Sequence, residues 1–313
     1  MHVARASIRK VILPFAMLAV VSAAVVPVAS AAAPRRVVAG PAFGFTLPRG
    51  AGGLAQPQTA ARRSANMTYH GGKIMATAVT KTFFRGTSWA TYAGDKITGL
   101  DTWYSGFSGS HYQGTVLEYT DSTGAHAGSS PTTHQGHYVD TAAETSKGST
   151  NAVLAEISAM VTASGTVIDP NGNSYFALYS DQKRGNAGYC AWHSAGTIGG
   201  KAVQFAFFWN LDGDAGCDPA DTSGLHSQGL AALANVTGHE LAEAMSDPAS
   251  PGAWYDGSGA ENGDKCAWTF GGPLATFSNG SAWKVQGEWS NAAFTAGTGY
   301  ANSSGQKGCV GGL

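Results

Sequence analysis

Between residues 145 and 163 the apolar positions Val153, Leu154, Ile157, Met160 and Val161 recur at helical spacing and stop before Gly165, which predicts an amphipathic helix packed on a sheet. The period then changes. TVIDPNGNSYFALYS reads as an apolar strand that follows an Asn-Gly turn. AVQFAFFWN, after the tetrapeptide CAWH, is a nearly continuous apolar run of the kind buried on both faces of a sheet. A second helical pattern runs from about residue 224 to 245. Leu230, Ala234, Leu241 and Met245 form one stripe there, and Ala232, Val236 and Ala242 leave little polar surface elsewhere. A helix apolar on nearly every side is a buried helix.

Upstream, KIMATAVTKTFF carries the β-branched and aromatic recurrence of a strand, while residues 86–140 are dominated by Gly, Ser, Thr, Tyr and Trp and read as short strands and long loops. The expected fold class is therefore α/β (α+β): a loop-rich mixed sheet with packed helices, in one domain over residues 66–313. Residues 34–65, rich in Pro, Gly, Ala and Arg and without either period, read as a flexible linker or short pro-segment. Its Arg62-Arg63 pair reads as a processing site or as part of a solvated linker. Residues 1–33 have Arg5, Arg9 and Lys10, an apolar run over 11–28, and then Ala29, Ser30, Ala31, Ala32 and Ala33. That is the form of a secretory signal peptide, with small residues where a retained anchor would need a stop-transfer flank, so a secreted, extracellular protein without a stable membrane anchor is expected.

Composition sharpens this. With 43% hydrophobic and 12% charged residues the chain can bury a substantial core. Residues 1–65 hold eight of the 19 Lys and Arg and none of the 20 acidic residues, which leaves a net charge of −9 on the remainder. Such a domain is repelled by phosphate backbones, so nucleic acid is not an expected partner. Four cysteines in a secreted chain suggest two disulfides with three connectivities open. Cys190–Cys217 with Cys266–Cys309 is the expected set, because each pair brackets one structural unit, before and after the second helix.

The chemistry gathers at residues 237–264, TGHELAEAMSDPASPGAWYDGSGAENGD, where six carboxylates occur with no Lys or Arg among them. His239 and Glu243 are four apart and share a helix face. Buried, they must be paired, since an uncompensated charge is too costly to keep. Either they form an ion pair, or they bind zinc while Glu240 deprotonates a water. In the second case a third ligand comes from beyond the helix, from Asp256 or Glu261, because Asp247-Pro248 ends the helix. Asn210, Asp212, Asp214 and Asp221 imitate a calcium loop, but Ala215 replaces its glycine, so calcium is the weaker cofactor reading and an acidic turn the better one. His111, His126, His134 and His137 match no ligand spacing and read as solvated loop histidines. Trp103, Tyr104, Tyr112 and His193 are candidate pocket-lining residues.

GHELAEAMSDP, AWYDGSGAENGDKC, YCAWH and MTYHGG together resemble bacterial secreted proteins similar to the plant phosphate-induced, EXORDIUM-like family, over about residue 66 to the C-terminus. The resemblance implies an extracellular protein linked to growth responses. The H-E-x-x-E helix also looks zincin-like, though Glu243 stands where a metallopeptidase has a second His. Two functions follow as expectations. One is a secreted zinc-dependent hydrolase of peptide or protein substrates, with Glu240 as general base. The other is a non-catalytic extracellular or wall-associated EXORDIUM-like protein.

Overall fold

The apolar runs come to lie side by side in one sheet. The computed structural model describes residues 1, 35–50 and 66–311. The expected signal peptide and the Arg62-Arg63 pair lie outside the described residues. Along the chain come β1 (Val37–Ala39), β2 (Phe43–Thr46), β3 (Thr68–Tyr69), β4 (Val79–Arg85), α1 (Lys96–Phe107), β5 (Thr133–Asp140) and α2 (Thr150–Ala163). Next are β6 (Ser174–Lys183), β7 (Ala191–Ile198), β8 (Lys201–Asn210), α3 (Gln228–Ser246), β9 (Trp254–Tyr255) and α4 (Asn262–Lys265). Short elements close it: β10 (Ala275–Thr276), β11 (Ala282–Trp283), β12 (Glu288–Trp289), α5 (Asn291–Ala296), β13 (Tyr300–Ala301) and β14 (Lys307–Val310).

The sheet is mixed, as expected. Strands β8, β6, β4 and β5 run parallel in that order, and β7 pairs antiparallel with β8 through a Gly199-Gly200 turn whose two positive φ values, 59° and 81°, suit a tight hairpin. Helices cover both faces. On one, the Tyr179 hydroxyl of β6 lies 3.0 Å from that of Tyr104 in α1 and 2.8 Å from the Thr237 hydroxyl in α3. On the other lies α2, so close to β7 that a Cβ added at Gly196 would stand 2.6 Å from Leu154. His193, three residues earlier on β7, therefore projects to the α3 side. The Ser227 hydroxyl caps α3 by accepting from the Leu230 amide at 3.2 Å, and Asp247, before Pro248, ends it. Both disulfides, Cys190–Cys217 and Cys266–Cys309, are the expected ones. Among the described residues no helix is long and apolar enough to cross a membrane.

Three expectations need correction. The stretch 86–140 contains a twelve-residue helix, α1, where only strands and loops were expected. Its buried Leu100, Trp103, Tyr104 and Phe107 have helical spacing, masked by the poor helix formers Thr98, Gly99, Thr102 and Gly106; tertiary packing overrides propensity. Trp103 and Tyr104 of α1, and Tyr112 after it, are buried in the core. Residues 37–46, expected in a linker, form β1 and β2 and pair antiparallel with the outer edge of β7, from Val37 opposite Ile198 to Thr46 opposite Ala191. Pro41, Gly40 and Gly44 hid these strands, and an edge position tolerates all three. The described part of the expected linker that forms these two strands is thus part of the sheet.

Candidate metal centre

Helix α3 presents His239, Glu240 and Glu243 toward β7, β2 and the segment that begins at Glu261, and all three side chains are fully buried. His239 Nε2 lies 3.1 Å from Glu243 Oε1. From β7, His193 Nε2 lies 3.5 Å from Glu243 Oε2 and 3.3 Å from Glu261 Oε2. Two overlapping sets of potential ligand atoms result, His193/Glu243/Glu261 and His239/Glu240/Glu243, each within 4.8 Å and sharing Glu243.

Their spacing suits a small cation. Ligands 2.0–2.1 Å from a tetrahedral zinc ion are separated by about 3.3 Å, close to the distances around His193 and Glu243. Among the described residues His239 Nε2, Glu240 Oε2 and Glu243 Oε2 have no hydrogen-bond partner, although buried polar atoms normally do. These residues can hold a metal ion. An ion pair alone would leave the acids in excess, because Glu240 and Glu261 bring two further carboxylates to two imidazoles.

Burial and charge act differently on each group. Burial pushes Glu240 well above the usual carboxylate range, partly offset by His239. Glu261 is raised by burial and by the Glu243 and Asp247 charges. Burial opposes ionisation of Glu243 as well, but His239 and His193 hold it down to about 2. Burial would lower His239, and the carboxylates of Glu243, Glu240 and Asp264 reverse that and raise it well above the ordinary value.

The surroundings fix these side chains. Glu243 Oε1 accepts the Asp264 amide at 2.9 Å, and Glu261 and Asp264 form a capping box at the start of α4. A Cβ at Gly263 would stand 2.9 Å from Glu243 Oε1 and 3.0 Å from the His239 ring, so the turn can approach only as glycine. Gln286 donates its amide to the Gly263 carbonyl at 2.9 Å and lies 3.0 Å from His239 Nδ1. This nitrogen-to-nitrogen contact is a hydrogen bond only in the neutral tautomer that carries its proton on Nε2. Ligation through Nε2 requires the proton on Nδ1, and with it the Gln286 amide oxygen turned toward the ring.

No family model, curated protein or solved structure matches the chain.

The structure brings His239, Glu240, Glu243 and Glu261 together and leaves Asp256 out. Asp256 Oδ2 accepts from Lys265 Nζ at 2.8 Å, and its Oδ1 accepts from the Ser258 and Ala260 amides. An Asx turn closed by a lysine explains that acid, so the ligand role expected for Asp256 is withdrawn. His193, expected only to line a pocket, reaches the centre itself. Thr46, Asp264, Gln286 and Glu288 were not foreseen. Glu288, fully buried, accepts from the Tyr112 hydroxyl at 2.8 Å and is raised by burial, with His239 opposing. Of these, His193 had a signal in the pentapeptide YCAWH, and Asp264 one in the acid-rich stretch 237–264. At the calcium-like turn, Asp212 is 2.6 Å from Lys96 Nζ and Asp214 is 2.6 Å from Arg184 Nε, so protein cations already neutralise both acids. His134 and His137 lie on β5, not in solvated loops, and both contact Asp101.

Proposed function

We propose that the protein is a secreted zinc-dependent hydrolase of peptide bonds, with Glu243 as the ligand shared by the two sets, His193 and Glu261 on one side of it and His239 on the other, and Glu240 as general base. The observation that carries this reading is the convergence of two imidazoles on the two oxygens of Glu243, with Glu240 Oε2 free of a hydrogen bond among the described residues. One imidazole and two carboxylates, as around His193, are a ligand set that leaves a coordination position open, and zinc there would supply Lewis acidity for amide hydrolysis.

The residues of the chain do the rest. Glu243 is held ionised by its two histidines. Glu240 is adjacent in sequence to a ligand but is not needed as one. Burial raises it above the usual carboxylate range, and a more basic carboxylate is a better proton acceptor. Glu240 takes a proton from the attacking water as that oxygen bonds to the carbonyl carbon, and returns it to the amine nitrogen as the C–N bond breaks.

Elemental analysis of protein expressed with zinc should give about one ion per chain, and a chelator should lower the melting temperature, because an ion bound only by the folded state stabilises it. Zinc-free protein whose melting is indifferent to chelator would return the cluster to an ion-pair role. That outcome would favour the second reading, a non-catalytic extracellular protein of the EXORDIUM-like kind.

A further inference from the structure

The N-terminal strands cover the centre. Thr46 donates its hydroxyl to Glu240 Oε1 at 2.6 Å, with its amide 3.3 Å from the same oxygen. Gly44 lies directly over the ligands: a Cβ there would stand 2.1 Å from His193 Nε2 and 2.4 Å from Glu243 Oε2. Phe43 packs edge-on against the His193 ring at 4.5 Å. On either side the segment is hydrogen-bonded to β7 or its flank. Gly40 donates to the Ala195 carbonyl at 2.8 Å and Cys190 to the Thr46 carbonyl at 2.7 Å, while the register breaks between Phe43 and Thr46.

We infer that the outer edge of β7 is the binding site for an extended peptide, and that residues 37–46 occupy it in the intact chain as a built-in inhibitor. This rests on the hydrolase reading of the same centre. Strand addition to an open sheet edge reads a peptide through its main chain, with specificity left to the side chains that alternate along it. Here the edge belongs to the strand that carries His193. A break in register falls over the ligands, where a scissile bond would have to lie, and Gly44 adopts φ +56° there. A left-handed residue does not continue a strand. The segment therefore pairs like a substrate on both flanks while turning out of strand geometry over the ligands, and Thr46 occupies an oxygen of the base. Substrates of the opened site should be extended chains with a small residue over the cluster. In the sequence, Arg62-Arg63 stands between this segment and the rest of the domain, where a cut would convert the inhibitor into a separable peptide.

The test uses the full chain carrying a site-specific protease sequence inserted between residues 50 and 66, cut after folding. A fluorescent peptide of residues 37–50 should exchange onto the cut chain and not onto the uncut one. The same peptide with Gly44→Val should bind at least about tenfold more weakly, a difference of about 1.4 kcal/mol. Two outcomes would overturn the inference: a cut chain that keeps its own segment and excludes the labelled peptide, or one whose segment leaves only when the whole domain melts. Cleavage of library peptides by the uncut chain would also overturn it while leaving the hydrolase reading intact. Exchange without any hydrolysis by the cut, zinc-loaded chain would do the reverse: the peptide site would stand and the hydrolase would not.

Discussion

Two clusters of acids and histidines built from the same residue types end in opposite states. At β5, Asp101 of α1 receives His134 Nε2 at 2.9 Å on one oxygen and His137 Nδ1 at 2.5 Å on the other, and Thr80 satisfies His134 Nδ1 at 2.9 Å. One acid faces two imidazoles, and the hydrogen bonds close. Around α3 the ratio is inverted: Glu240, Glu243 and Glu261 face His193 and His239, and several buried atoms have no partner among the described residues. Solvent access separates the two as well, since Asp101 keeps 28% of its side-chain surface exposed and the α3 groups almost none. A satisfied, partly wet cluster explains itself, whereas a dry one with surplus carboxylates calls for a cation.

The sharpest way to break the comparison is to remove a ligand from the second cluster. His239→Ala should abolish zinc binding and lower the melting temperature by several degrees, because it deletes a ligand and leaves Glu240 and Glu243 buried near each other; breaking a buried pair typically costs about 3–5 kcal/mol. Elemental analysis with differential scanning calorimetry measures both. His193→Ala should also lose the ion, because His193 contacts both Glu243 and Glu261. Retention of full zinc by that variant would move the site onto the His239/Glu240/Glu243 set alone.

Next in size is the effect on turnover. Glu240→Gln keeps shape and the Thr46 contact but cannot take a proton, so zinc content and melting should match the parent. Hydrolysis by the cut chain should fall by about two to four orders of magnitude. Equal rates for parent and variant against a peptide library, at equal zinc loading, would remove Glu240 from the role of base.

The helix, its C-terminal end and its buried character were legible in the sequence, as was the proximity of His239, Glu243 and Glu261, because period and spacing are local. So was the mixed α+β class, since strands β6 and β8 are written as uninterrupted apolar runs. What was not legible is what arrives from a distance. His193 belongs to a strand whose CAWH start looked like a connector, and Thr46 to a segment without a readable period. Asp256 shows the converse failure: an acid at a plausible spacing was committed locally, to a turn and to Lys265. Sequence spacing records which groups share a helix face, but not which ones a sheet edge or a later turn carries back to it.

The two clusters also predict opposite pH dependences for the metal-free protein. Asp247 is raised by burial to about 6, and Glu240, Glu261 and Glu288 are raised too, so the folded state holds protons that the unfolded chain has released. Their contribution to stability is full below the ordinary carboxylate range and is lost as pH rises through each raised value, which for Asp247 is about 6. Raised His239 acts in the same direction, while Glu243, held near 2, acts the other way. With chelator present, the melting temperature should fall by several degrees between pH 5 and pH 8. Zinc should shrink or invert that slope, because its ligands bind deprotonated. A flat profile with and without zinc would mean that the acids are not held neutral by burial.

The smallest effect should come from the satisfied cluster. Burial would raise Asp101, but hydrogen bonds from His134 and His137 outweigh it and hold its carboxyl below the usual range. Its contribution is thus present above the ordinary Asp value and lost only as pH falls below it, the opposite sign to the α3 acids. Asp101→Asn retains one acceptor and removes the charge. With the site partly exposed, the loss should be only about 1 kcal/mol, or roughly 2–4 °C in melting temperature for a domain of this size. Zinc content and peptide exchange at β7 should not change, because no group of this cluster contacts α3's acids. Urea melts at pH 7 and pH 3 should find the variant closer to the parent at pH 3, below the ordinary Asp value, where the stabilising contribution of that charge is being lost. A variant that lost zinc, or that was most destabilised in acid, would show the two clusters to be coupled and would undo the contrast between them.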